Sequence, residues 1–405
     1  MNNNKNFSIP LKRTLSRWAV IFYGLGTILG AGIYVLVGKV AGHAGNFAPL
    51  AFLLASFIAL FSVISYAELS SRFPKSAGEA FYIQKAFENN WLSTLVGWLV
   101  VFTGLVSAAV LARGFAGYLQ LFFTLPVWLA VVLLVPCLGT VAIWGIKESA
   151  ILIMLITLIE AGGLLFIIFL PGHELLKASN LWQAFTPVSI QEWSGIFSGA
   201  FIAFYAYVGF EDMVNVAEEI KSPEKNLPPA MFWVLALATL LYLLVALAII
   251  STLSIEELTQ SEAPLASFIE KKGYSPILIG LIGLIAVING ALVQMIMASR
   301  VLYGMAKQQN APRALGWVNS FTQTPVLATV VVILIVLVFA LWFDVEDLAK
   351  ITSSIMLCVF IMIHLSLIKM KLRKTLPENA VVYSIFFPVT GAILSFFFLI
   401  SQLWS

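Results

Sequence analysis

Charge, cysteine and histidine are all scarce in this chain. Only 11% of its 405 residues are Asp, Glu, Lys or Arg, against about 25% in soluble domains, so a water-soluble globule is excluded. The two cysteines, Cys137 and Cys358, both sit inside apolar runs, which removes a disulfide framework and a thiolate metal site. His43, His173 and His364 are scattered without ligand spacing. There is no HExxH and no phosphate-binding loop, and too little polar chain remains outside the apolar runs for a catalytic domain. No enzyme, cofactor or metal is therefore expected. The net charge of +3 is small and dispersed, which argues against a nucleic-acid partner.

Apolar residues are abundant instead. They make up 60% of the chain, and the mean hydropathy is +0.97. A membrane helix needs about 20 apolar residues. Runs near 18–41, 47–71, 91–123, 126–145, 147–170, 193–217, 227–252, 276–306, 325–343, 346–369 and 380–402 meet that length or approach it. They predict an all-α polytopic membrane protein of eleven transmembrane helices behind a cytoplasmic tail, 1–17. The first run exceeds a signal-peptide core and is followed by no cleavage pattern, so it is expected to stay. With the N-terminus inside, seventeen of the 23 Lys and Arg residues fall on the cytoplasmic side and six outside, as inside loops require. Eleven spans then place the C-terminus outside. The loops carry no N-x-S/T sequon, in keeping with a prokaryotic cytoplasmic membrane.

The first run contains 24-GLGTILGAGIYVLVG-38, where glycines crowd a helix that each of them weakens by roughly 1 kcal/mol. A dinucleotide loop is excluded, since no strand precedes it and the spacing is GxGxxxG. Two readings stay open. Gly26 and Gly30 have the spacing of close helix–helix packing; alternatively, the helix is interrupted at mid-membrane, where free backbone lines a site. The sixth run, 199-GAFIAFYAYVGFEDMVNVAEE-219, has Gly209 near its middle with Glu211 and Asp212 just beyond. Interrupted segments five helices apart predict a 5+5 inverted repeat. Its halves are 18–170 and 193–370, and 380–402 is an additional helix.

These two stretches, with "YAELSSRFPKSAGEAFYI", "VLARGFAGYL", "GIKES" and "ASRVLYGMAKQQNAPRALGWVNSFTQTPVLA", resemble the amino acid–polyamine–organocation superfamily, whose fold is of the leucine-transporter type. The resemblance implies an amino acid bound between the first and sixth helices. Its carboxylate would meet the N–H groups of Gly30, Ala31 and Gly32, helped by the helix dipole. Its ammonium would meet the carbonyls of Ile28, Tyr205, Ala206 and Val208, with Tyr205 as an aromatic lid. Cationic members often carry an acid ten residues before the arginine matching Arg113. Thr103 stands there, which favours a neutral or small substrate.

Glu160 lies alone in 151-ILIMLITLIEAGGLLFI-167, where proton-coupled relatives place a lysine. It is read either as the proton-coupling group or as a structural glutamate tied to a neighbouring backbone. Sodium coupling is the alternative, but it usually draws on hydroxyls of the eighth helix; between Pro276 and Ala298 only Asn289 and Gln294 are polar. Glu211 aligns with a gating glutamate and shares a helix face with Asn215 and Glu218. That face would line the inner vestibule or latch onto Arg17, Arg72 or Arg300. Glu218 and Glu219 are read as structural, and Glu68 and Arg113, near helix ends, as paired or snorkelling groups. The expected function is secondary active amino acid transport by alternating access across a lipid bilayer, coupled to protons or working by exchange. A sodium-coupled carrier, or a sensor or channel, is the alternative.

Overall fold

Capping residues between the apolar runs mark where several of the helices begin. The computed structural model describes residues 13, 15–75, 78–144, 150–171, 184–307, 309–319, 321–322, 324–373 and 381–401. Most of the tail 1–17, the GIKES motif and the side chains of Ala31, Glu218 and Glu219 lie outside the described residues. The helices are α1 (Arg17–Ala44), α2 (Ala48–Arg72), α3 (Gly78–Phe87), α4 (Asn90–Leu119), α5 (Val127–Trp144), α6 (Ala150–Phe169) and α7 (Ile190–Tyr205). They continue with α8 (Pro223–Ile250), α9 (Ile255–Gln260), α10 (Pro264–Lys271), α11 (Ile277–Lys307), α12 (Val326–Trp342), α13 (Val345–Leu372) and α14 (Phe386–Ser401). Ser16 caps α1 through the Ala19 N–H, and Ser189 with Glu192 forms a capping box on α7. Asp344 caps α13.

No strand occurs among the described residues, only an isolated parallel bridge between Leu15 and Ile220. Among the described residues, six stretches are long and apolar enough to cross a membrane by length and composition: Gly32–Arg72, Asn90–Leu119, Val127–Trp144, Pro223–Ile250, Ile277–Lys307 and Val345–Leu372. Exposed tryptophans mark helix ends: Trp18 on α1, Trp91 on α4, Trp128 and Trp144 on α5, Trp193 on α7 and Trp342 on α12. Indole favours the boundary between hydrocarbon and headgroups, so this distribution suits a bilayer. α1 occupies the middle of the fold, against α6, α7 and α8, while α4 packs on α11 and α13.

The expected interruption of the first helix is absent. α1 is helical from Arg17 to Ala44, and its glycines serve close packing instead. A Cβ on Gly32 would overlap the Cα and Cβ of Ala206, and one on Gly24 would meet Met213 and Val234. An orphaned peptide group in an apolar interior costs several kcal/mol, whereas a helical glycine costs about 1; the unbroken helix wins. The sixth segment is interrupted as expected. α7 stops at Tyr205, residues 206–210 form turns, and a 3-10 helix runs Glu211–Glu219. Gly209 has φ +129, a conformation open to glycine and strained for other residues.

α14 is tied to the body of the protein by a buried ionic cluster. Glu68 on α2 accepts from Arg72, from the Lys371 ammonium at 2.6 Å and from the Tyr383 N–H at 3.0 Å. The Val381 N–H donates to Ser71 Oγ at 3.1 Å. A Cβ on Gly391 would strike the ring of His364, itself bonded by Ser65 and Ser62. Arg113, the other group read as paired, donates to the Ala340 carbonyl at 3.0 Å.

Two stability measurements in detergent test this packing. Gly32→Ala should destabilise by about 1–3 kcal/mol through overpacking, while Gly162→Ala, where a Cβ would meet nothing within 4 Å, should not. Glu68→Ala leaves two buried cations without their carboxylate and should cost about 3–5 kcal/mol. Glu88→Ala, which removes only the exposed pair with Arg373, should leave the melting midpoint in place.

Candidate functional site

The interruption in the sixth segment frees peptide groups, and side chains from α1, α8 and the segment itself meet them. The Thr27 hydroxyl of α1 lies 3.0 Å from the Gly209 carbonyl and 2.8 Å from that of Gly24. The Tyr242 hydroxyl of α8 lies 2.7 Å from the Ile28 carbonyl and 3.0 Å from the Ala206 carbonyl. Its one proton is shared between two helices. The Gly209 N–H donates to Glu211 Oε2 at 2.9 Å. The Tyr205 carbonyl accepts from the Val208 N–H at 3.0 Å.

Beside this junction lies a narrow cavity, walled by α1, α4, the sixth segment and α11. Four of the expected binding residues line it: Ile28, Gly32, Tyr205 and Val208. Gly30 and Ala206 pack beside the wall, Gly30 towards the Ala286 carbonyl and Ala206 against Gly32. Tyr205 is buried, with its hydroxyl 3.5 Å from the Ser107 carbonyl. Of the four carbonyls expected to receive an ammonium, those of Ile28, Tyr205 and Ala206 already hold a donor; each oxygen has a second lone pair.

Several wall residues carry no role in the reading of the sequence: Tyr23, Ser107, Leu111 and Val293. Asn289 and Gln294 stood out there only for sodium, and both line the cavity. Thr103 does not reach it. Its hydroxyl bonds the Leu99 carbonyl and Met356 Sδ, whereas Ser107, one helical turn further along α4, faces inward. The signal for Tyr242 was a single tyrosine inside "ATLLYLLVALAII", which reads equally as packing.

Glu160 is fully buried, and neither carboxyl oxygen has a hydrogen-bond partner among the described residues. Its main-chain carbonyl accepts from Tyr34 at 2.7 Å, so it is the peptide group, not the acid, that is tied down. Glu211 has no ion pair with Arg17, Arg72 or Arg300 among the described residues. Arg17 donates to Asn226 at 3.1 Å and Arg72 to Glu68.

Comparison with known proteins agrees with this architecture. The sequence profile of a family described as amino acid permease matches residues 15–405. Cationic amino acid transporter 3, mitochondrial, of Arabidopsis thaliana is 28% identical over 88% of this chain and 62% of its own length. Cationic amino acid transporter 4, vacuolar, of the same plant is 29% identical over 85% of this chain and 60% of its own length. Branched-chain amino acid permease BcaP of Bacillus subtilis (strain 168) is 26% identical, over 91% of this chain and 82% of its own length. The chain thus spans about three fifths of the plant relatives. A helical membrane architecture, a buried cavity at an interrupted helix and a profile match across nearly the whole sequence place the chain in the amino acid permease family of the amino acid–polyamine–organocation superfamily.

Proposed function

We propose that the protein is a secondary active transporter that moves an amino acid through this cavity by alternating access, with its N-terminus on the cytoplasmic side. The observation that carries the reading is the buried cavity beside the interrupted sixth segment. Backbone there is available to a zwitterion, and among the described residues no acidic or basic side chain lines the wall. The substrate ammonium takes the carbonyls of Ile28 and Ala206 in place of the Tyr242 hydroxyl, with those of Tyr205 and Val208 nearby. The carboxylate takes the N–H groups of Gly30, Ala31 and Gly32, which requires α1 to open at its glycines when substrate enters. Glycine lowers the cost of that opening. Tyr205 closes over the bound molecule.

Glu160 is the coupling group. A carboxyl buried without partners carries its charge at a cost of many kcal/mol unless it takes up a proton, so proton symport or proton-modulated exchange follows. The α11 wall offers Asn289 and Gln294 and no hydroxyl to a hard cation, which leaves sodium the weaker alternative.

Reconstitution into proteoliposomes tests both parts. A screen of the twenty amino acids should find substrates that give counterflow; binding without counterflow would instead mean a sensor or channel. Glu160→Gln should abolish the pH dependence of uptake while substrate still raises thermal stability. Wild-type pH dependence in that variant would remove the proton role.

A further inference from the structure

Two polar atoms on the cavity wall have no hydrogen-bond partner among the described residues: Ser107 Oγ on α4 and Gln294 Oε1 on α11. Both residues are more than nine-tenths buried, at 3% and 7% exposure. A buried polar atom left unsatisfied is costly, and most find a partner. Here two remain open in one cavity, on the neighbouring helices α4 and α11.

Their chemistry is complementary. The Gln294 Nε2 donates to Asp212 Oδ2 at 3.3 Å. That bond turns the amide so that Oε1 is left as a pure acceptor. The Ser107 hydroxyl can donate as well as accept. A ligand that satisfies both offers an N–H or O–H to Gln294 and an acceptor to Ser107. Asp212 is spent on the amide and does not line the cavity, and among the described residues neither does any other charged side chain. A side-chain ammonium or guanidinium would therefore lose its hydration without a facing carboxylate.

Building on the transport reading above, we infer that Ser107 and Gln294 determine specificity, selecting small neutral amino acids whose side chain bears a hydroxyl or carboxamide. Leu111 and Val293 on the same wall accommodate its apolar carbons. A branched aliphatic side chain of equal size fills the space and leaves both polar atoms orphaned. Sites built to hydrogen-bond a substrate reject the analogue lacking that group far better than apolar pockets reject an extra methylene.

Threonine and valine are near-isosteric and make the test. In competition assays on the reconstituted wild-type protein, threonine should bind at least tenfold more tightly than valine. In Gln294→Met the ratio should fall to within twofold, through loss of threonine affinity. Ser107→Ala, which removes one hydroxyl and leaves Asp212 paired, should lower the ratio independently should the glutamine variant fail to fold. Equal binding of threonine and valine by the wild type, or a ratio unchanged in both variants, overturns the inference and leaves amino acid transport standing. If none of the twenty amino acids binds, the transport reading itself falls, and the inference with it.

Discussion

Peptide groups freed in a water-poor interior must be met by side chains, and this requirement organises the centre of the molecule. The interruption at 206–210 exposes the carbonyls of Ala206 and Gly209 and the N–H of Gly209. Tyr242, Thr27 and Glu211 answer them in turn. The three belong to α8, α1 and the 3-10 helix Glu211–Glu219, so the interruption persists only while those elements stay together. Close approach follows from the same need. Gly32 touches Ala206, and a Cβ on Gly209 would lie 2.9 Å from the Thr27 carbonyl. The cavity occupies the space that these contacts leave beside α4 and α11.

The long helices were legible in the sequence because apolar runs stand between polar stretches, whereas the short α3, α9 and α10 lie outside every predicted run. The interruption of the sixth segment was legible for a different reason. Gly209 with two carboxyls at its heels has no plausible place in an unbroken membrane helix. The first segment was not resolved by the same logic. Glycine signals both backbone freedom and close approach, and only the position of Ala206 against Gly32 decides between them. Tyr242 was hidden because its partners are carbonyls 36 and 214 residues away. Ser107 and Thr103 show how coarse an offset in sequence is, since one turn of α4 separates a wall residue from one that faces Met356.

The buried acids divide by what surrounds them. Glu68 is saturated by Arg72, Lys371 and a backbone N–H, and its charge is structural. Glu79 on α3 has the Tyr66 hydroxyl at 3.3 Å, and Asp212 has Gln294. Glu160 alone among these four has neither a donor nor an opposite charge on its carboxyl among the described residues. Removing one partner from a buried pair is expensive, so evolution of the first kind of site is constrained. A carboxyl without partners can change its protonation state without dismantling any contact.

The Glu68 cluster also bears on how the chain assembles in the lipid. Its carboxylate sits on the second long helix to be synthesised, while Lys371 and Tyr383 emerge from the ribosome some 300 residues later. Throughout that interval the acid has Arg72 on its own helix as ion-pair partner but lacks the ammonium and the N–H that complete its hydrogen bonding. Maturation thus couples α2 to Lys371 and Tyr383, and the stretch leading into α14 supplies a contact that α2 inserted on its own does not have.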